Sequence, residues 1–235
     1  MKKELNKLIN YGFIIVKPNS KKKFLKLQNE ILKAFNFLLL KNKRNKIKNI
    51  NELLKKKNLF NHEFVNELRK IYVKNLNKHI VNTYSNFFKR YFSKEFFVQK
   101  YCTIRVLHPT ISSSALNPHI EAHAGHSPFT FNFWTPYHKV HDNSGIWLLP
   151  LKDSLQILKK EKSVLHRKKL IQNSKNLFFP QFEEGESILF NSFIYHGSNM
   201  SNKNPLRISS DIRVQKKNSL FLYKFNEFFE PINLD

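Results

Sequence analysis

From Phe96 onward the chain breaks into short β-like runs separated by Pro, Gly, Asn and Ser. They are Phe97–His108, Pro118–Ala122, Phe129–Tyr137, Gly145–Leu149, Glu186–Asn191 and Arg207–Gln215. Several short strands at this spacing point to a sandwich or a barrel, and a double-sheet jelly roll accommodates them. A polar, helix-like insert, residues 152–174, falls between the fourth and fifth runs. Before Phe96 the period is different. Leu8–Val16 reads as a first strand, closed by Lys17-Pro18. From Asn19 on, Phe24, Leu25, Leu27, Ile31, Leu32 and Phe35 recur at helical spacing with lysines opposite. After the polar stretch Lys41–Lys48, a second helical region, residues 51–92, carries the stripe Phe64, Leu68, Ile71, Val73, Leu76, Ile80, Tyr84 and Phe88. The expectation is a mainly β fold with N-terminal helices packed on a sheet, in one domain spanning residues 1–235. Residues 1–95 supply the strand and supporting helices, 96–216 the jelly-roll core and 217–235 a C-terminal tail.

Composition limits the function. At 235 residues and 41% hydrophobic, the chain can bury one sizeable core. The formal charge of +24 would suit a nucleic-acid surface, yet only seven of the 41 basic residues are Arg. Phosphate recognition favours Arg, whose planar fork binds bidentately. The joint excess of Lys, Asn, Ile and Phe is what AT-rich coding sequence produces, so the charge is read as compositional drift. Its field would still attract phosphorylated or carboxylated substrates. No apolar run approaches the roughly 20 residues that span a bilayer, and no signal-like apolar segment follows Met-Lys-Lys-Glu. The single cysteine, Cys102, excludes an internal disulfide framework and points to a reducing compartment. A cytoplasmic location is expected.

The chemistry concentrates in three places. His119-Ile-Glu121 alternates along an extended segment, so imidazole and carboxylate face one way and can share an ion. His196 follows 75 residues after Glu121, with Gly197 allowing a tight turn. Two imidazoles and one carboxylate are the ligand set of non-heme Fe(II) oxygenases, which keep the opposite face of the metal open. Neither HExxH nor a cysteine-based zinc spacing is present. With ten histidines, however, His-x-Glu is a weak signal alone, and Glu121 could equally pair with His123; His126 also lies close. The third element is Arg207-Ile-Ser209, where a guanidinium and a hydroxyl fall on one face of a strand that Pro205 would start. Together they could grip a carboxylate such as that of 2-oxoglutarate. Asp211 and Arg213 continue the face, either as an internal ion pair or with Arg213 touching substrate. Asn191, Tyr195 and Ser198 are candidates to orient the imidazoles.

The stretch Pro118-His119-Ile-Glu121, Gly125-His-Ser127-Pro128-Phe129 and Asn132-Phe-Trp134-Thr-Pro136 resembles the Fe(II)/2-oxoglutarate oxygenases related to phytanoyl-CoA dioxygenase. It most resembles the branch found in carbohydrate gene clusters, which includes a streptomycin-biosynthesis oxygenase. The likeness covers residues 98–214. It implies a double-stranded β-helix, cupin-like and buttressed by helices, with His119, Glu121 and His196 as iron ligands and Arg207 binding 2-oxoglutarate. Glu121 stands where Asp is usual.

The expected function is a dioxygenase that takes Fe(II), 2-oxoglutarate and O₂, releases succinate, and hydroxylates a small molecule. Ser209 and Asn132 join Arg207 as co-substrate candidates. Arg105, Tyr101, Trp134, Trp147 and Arg213 are substrate-lining candidates, although each aromatic serves a core equally well. The resemblance implies a sugar or nucleotide-sugar substrate. Two rival classes are a metal-binding cupin-like isomerase or binding module, and a nucleic-acid-binding protein driven by the lysine-rich helices; the second gives no reason for the His/Glu/His/Arg order.

Overall fold

The computed structural model describes residues 2–71, 73, 75–108, 111, 117–141, 145–198, 206–219 and 228–234; Pro205 lies outside them. Helix α1 (Lys2–Tyr11) leads into strand β1 (Phe13–Val16). The sequence predicts one strand over Leu8–Val16, but Gly12 splits it. Gly12 adopts φ +78°, its N–H bonds the Leu8 carbonyl at 2.9 Å, and an added Cβ would meet Leu151 and Ile194 at 2.7 and 2.8 Å. A left-handed glycine ends a helix in this way.

Helix α2 (Lys21–Lys41) starts at Ser20, whose hydroxyl accepts the Lys23 N–H at 3.3 Å. It buries Phe24, Leu27, Ile31, Phe35 and Leu38 and leaves its lysines in water. The expected second helix is instead four short ones: α3 (Ile50–Lys55), α4 (His62–Lys70), α5 (Leu76–Thr83) and α6 (Ser85–Phe92). The chain supplies the breaks itself. Asn49 and Asn61 each cap a new helix by accepting an N–H, and Asn75 turns left-handed at φ 59°. Tyr84 is held between α5 and α6 by donating its hydroxyl to the Gly185 carbonyl at 2.8 Å.

The helices cover one face of a seven-stranded antiparallel sheet. Its order is β1, β6 (Ser187–Asn191), β4 (Phe131–Pro136), β8 (Arg207–Lys216), β2 (Glu95–Gln99) and β9 (Phe229–Asn233), with β3 (Thr103–Leu107) also paired to β8. The expected run Phe97–His108 is thus two strands. The expected C-terminal tail contributes β9, which pairs with β2 from Glu95↔Asn233 to Gln99↔Phe229. A smaller second layer pairs β5 (Ile146–Leu148) with β7 (His196–Ser198) and is extended by the bridges His119↔His196 and Leu148↔Phe178. Trp134, Ile188 and Phe190 of the large sheet pack against Ile146 and Leu148 of the small one. The architecture is the expected double-stranded β-helix buttressed by helices. The insert forms α7 (Leu151–Lys160) and α8 (Val164–Gln172), packed through Ile157 and Ile171 on Ile120, Leu149 and Tyr195. Among the described residues no helix is long and apolar enough to cross a membrane.

Strand β8 sorts its side chains by alternation. Ile208, Ile212 and Val214 join the core under the helices, which leaves Arg207, Ser209, Asp211 and Arg213 on the face between the sheets. Register then sets their neighbours: Arg105 lies opposite Ser209, Trp134 opposite Asp211, and Asn132 opposite Arg213.

Candidate functional site

His119 and His196 are a directly bridged pair, with reciprocal backbone bonds of 3.1 and 3.0 Å and ring centroids 4.2 Å apart. Each Nδ1 meets a backbone carbonyl, Asn117 at 2.7 Å and Ile194 at 2.9 Å. A carbonyl only accepts, so each Nδ1 carries a hydrogen and each Nε2 is the nitrogen turned toward a ligand. The imidazoles are oriented by these carbonyls rather than by the expected Asn191, Tyr195 and Ser198 side chains. Asn191 accepts the Phe193 N–H instead, and Ser198 meets Arg207. Burial, then His196, push the His119 pKa down to about 4, which keeps the ring neutral at pH 7.

Ile120 is extended, so Glu121 returns to the side of His119 before the chain tightens into a turn over Glu121–Ala124. Glu121 Oε1 lies 3.9 Å from His119 Nε2 and 3.6 Å from His196 Nε2. One ligand atom from each of the three residues lies within 4.8 Å of the others, an arrangement that could hold a metal ion. His123, the sequence's competitor for Glu121, pairs with Glu161 at 3.0 Å instead. His126 is the additional imidazole beside the carboxylate, at 3.5 Å.

Glu121 is held hard from behind. Arg213 reaches both of its oxygens at 2.8 Å, and Asn132 donates to Oε1 at 3.0 Å. Burial would raise the Glu121 pKa, but Arg213 and His196 together outweigh it and keep the group ionised far below the carboxylate range. Arg213 also pairs with Asp211, which Arg105 Nε contacts at 2.5 Å. Arg213 therefore makes the internal ion pair that was one of its two expected roles. Arg105 is tied to Asp211 through Nε alone, with its side chain 34% exposed. It lies opposite Ser209 in the sheet, and its charge is felt at His119, Glu121 and Arg207.

Arg207 is the most unusual group. It is buried, and among the described residues no carboxylate is within ion-pair distance. It donates to the Gly145 carbonyl and, at 3.2 Å, to the Ser198 hydroxyl, and it lies 5.4 Å over the Trp134 ring. Burial, and then Arg105, push its pKa down to about 9. Among the described residues its Nε and the Ser209 hydroxyl are buried without partners. Two orphaned polar groups on one strand face fit a carboxylate ligand. Of the remaining candidates, Trp134 is packed on Phe182 beneath Arg207, Trp147 sits against Gly197, and Tyr101 is half-exposed after β2.

A double-stranded β-helix with a His-Glu-His cluster at the rim of its small sheet is the class of protein that fold and site define. No family model matches the chain, and no curated protein matches its sequence. Solved structures match its fold. SnoK, a non-heme alpha ketoglutarate dependent carbocyclase from nogalamycin biosynthesis, superposes with a TM-score of 0.63 at 9% identity over 99% of this chain and 96% of its own. EvdMO1 gives 0.62 at 12% over 92% of this chain and 49% of its own, so the chain spans about half that protein's length. EctD from S. alaskensis, with 2-oxoglutarate and 5-hydroxyectoine, gives 0.55 at 12% over 92% of this chain and 76% of its own.

Proposed function

We propose that this chain is a non-heme Fe(II)/2-oxoglutarate-dependent dioxygenase. The observation that carries the reading is Arg207, a buried guanidinium that among the described residues lacks an anion partner and shares its strand face with the equally partnerless Ser209 hydroxyl. A buried cation without a counter-charge is costly, and a carboxylate docked on it removes the cost. His119, Glu121 and His196 would hold the iron, Arg207 and Ser209 the distal carboxylate of 2-oxoglutarate. The bound pair supplies O₂-dependent oxidation of a C–H bond, with release of succinate and CO₂. The chain's own residues turn both imidazoles through their Nδ1 bonds, keep His119 neutral and Glu121 ionised, and shield the site between two sheets.

The substrate we propose is an anionic small molecule, phosphorylated or carbohydrate-linked such as a nucleotide sugar. Arg105 supports this: its guanidinium is steadied by Asp211 through Nε at 2.5 Å while its side chain stays partly exposed, opposite Ser209 on the same sheet. Tyr101 and Trp134 are its proposed aromatic neighbours. A reducing cytoplasm would suit the buried Cys102 thiol. The test is anaerobic addition of Fe(II) and 2-oxoglutarate with visible spectroscopy. A weak charge-transfer band should form in the wild type and be lost in His196→Ala. Bound iron with no band would overturn the 2-oxoglutarate assignment. Succinate release on admitting O₂ separates a dioxygenase from a metal-binding module without turnover.

A further inference from the structure

The candidate ligands sit on segments from separate parts of the chain, and one carboxylate outside the triad reaches a neighbour of each. Glu161 Oε1 is 3.0 Å from His123 Nε2, two residues after Glu121. Its Oε2 accepts the Tyr195 hydroxyl at 2.7 Å, one residue before His196. Oε2 also accepts Arg167 Nε at 2.6 Å, and Arg167 Nη1 donates to the Pro118 carbonyl at 3.5 Å, one residue before His119. Glu161 caps the end of α7, where its N–H bonds the Ile157 carbonyl, and Arg167 belongs to α8. The hairpin of these two helices therefore presents the carboxylate from outside the jelly roll.

Three further contacts hold the hairpin to the same segments. Ser154 of α7 accepts the Tyr195 N–H at 3.0 Å and donates to the Leu149 carbonyl at 2.8 Å. Ile157 and Ile171 pack on Ile120, between the two ligands His119 and Glu121, and on Tyr195. Glu161 is partly buried, at 13% side-chain exposure, and Tyr195 is fully buried. A partly buried carboxylate held by several donors is restrained, because each bond it loses leaves its charge less satisfied.

We propose that the α7–α8 insert is a buttress that sets the spacing of the three metal ligands, with Glu161 as its positioning residue. The inference rests on the metal-site reading above. Glu161 touches no ligand atom, so it acts by fixing the segments that carry them. Partners of this outer kind typically contribute about 10- to 100-fold to metal affinity.

The probe is Co(II), titrated into the protein and read by visible absorption, with the unfolding temperature of the metal-free protein measured alongside. Glu161→Ala should loosen Co(II) binding about tenfold or more and move the visible bands. Glu161→Gln, which keeps an acceptor for the Tyr195 hydroxyl, should recover part of the affinity. Lys159→Ala, exposed on α7, should leave both unchanged. A folded Glu161→Ala with wild-type affinity and spectrum would overturn the proposal. Should that variant fail to fold, Tyr195→Phe removes only a hydroxyl: weakened binding supports the buttress, and wild-type binding overturns it. If wild-type protein takes up no Co(II), or takes it up equally well as His196→Ala, the metal-site reading fails and the buttress with it.

Discussion

Arg207 should be a residue that the empty fold is better off without. Its pKa is held at about 9 against an ordinary 12.5, chiefly by burial. At about 1.4 kcal/mol per unit, keeping it charged at neutral pH costs the folded state roughly 5 kcal/mol. Part of that is recovered through Gly145, Ser198 and the Trp134 ring. Arg207→Met keeps the length and apolar bulk while deleting the charge. It also strands the Gly145 carbonyl and the Ser198 hydroxyl, at about 1–3 kcal/mol. The net expectation is a metal-free protein more stable by about 2 kcal/mol, within the range seen when buried ions are replaced by apolar residues. At this chain length that is a rise in unfolding temperature of about 4–8 °C. The ligand response should reverse. 2-Oxoglutarate at 100 times its Kd stabilises the metal-loaded wild type by about 2.7 kcal/mol and Arg207→Met hardly at all. Urea unfolding with and without 2-oxoglutarate measures both arms. A variant less stable than wild type by more than 1 kcal/mol, with its 2-oxoglutarate response intact, would refute the reasoning and make Arg207 a structural strut.

Three other outcomes follow from the same geometry. Arg213→Gln should destabilise by about 3–5 kcal/mol in urea, because it leaves the buried Glu121 and Asp211 carboxylates without their shared cation. Gly197→Ala would set a Cβ 2.7 Å from the Trp147 ring, so strand β7 or the indole must shift; a loss of about 1–3 kcal/mol and weaker Co(II) binding at His196 are expected. His138 should make the fold acid-sensitive. Neutral, its Nε2 accepts the Ile208 N–H at 3.2 Å, and burial lowers its pKa to about 4. The unfolded chain binds that proton near pH 6.5, so this stability is complete above 6.5 and lost as pH falls to 4, about 3 kcal/mol in all. Urea midpoints of wild type and His138→Gln should converge across that window; parallel curves would remove His138 as the cause.

What the sequence revealed of this site is what alternation and short spacing encode. His119-x-Glu121 shares a direction because Ile120 is extended, and Arg207-x-Ser209 shares a sheet face because β8 has period two. Partnerships between distant segments were not legible. Nothing local distinguishes His123 from His126, yet α8 and the end of α7 draw His123 to Glu161 and leave His126 beside Glu121. The helix-like residues 51–92 showed a continuous apolar stripe, but Asn61 and Asn75 carried the punctuation that divides it. Residues 229–233 became a strand because the edge of β2 was open to pair with them, which is a property of the sheet.

Glu121, where the resemblance drawn from the sequence implies Asp, finds a physical account in the same register. β4 and β8 set Asn132 opposite Arg213, and both side chains converge on the Glu121 carboxylate. A longer side chain is freer to wander, and side-chain entropy works against a fixed ligand. Here Arg213 grips both oxygens through Nη2 at 2.8 Å and one through Nε at 3.2 Å, and Asn132 takes one at 3.0 Å, so the added rotor is fixed by four bonds. Arg213 is in turn held by Asp211, and Asp211 by Arg105. Three arginines and two carboxylates therefore line one face and leave a single positive charge there. A divalent cation and a dianionic co-substrate would together leave that balance unchanged. An anionic substrate entering past Arg105 would meet a face that still carries one net positive charge, which one negative charge on the substrate would balance.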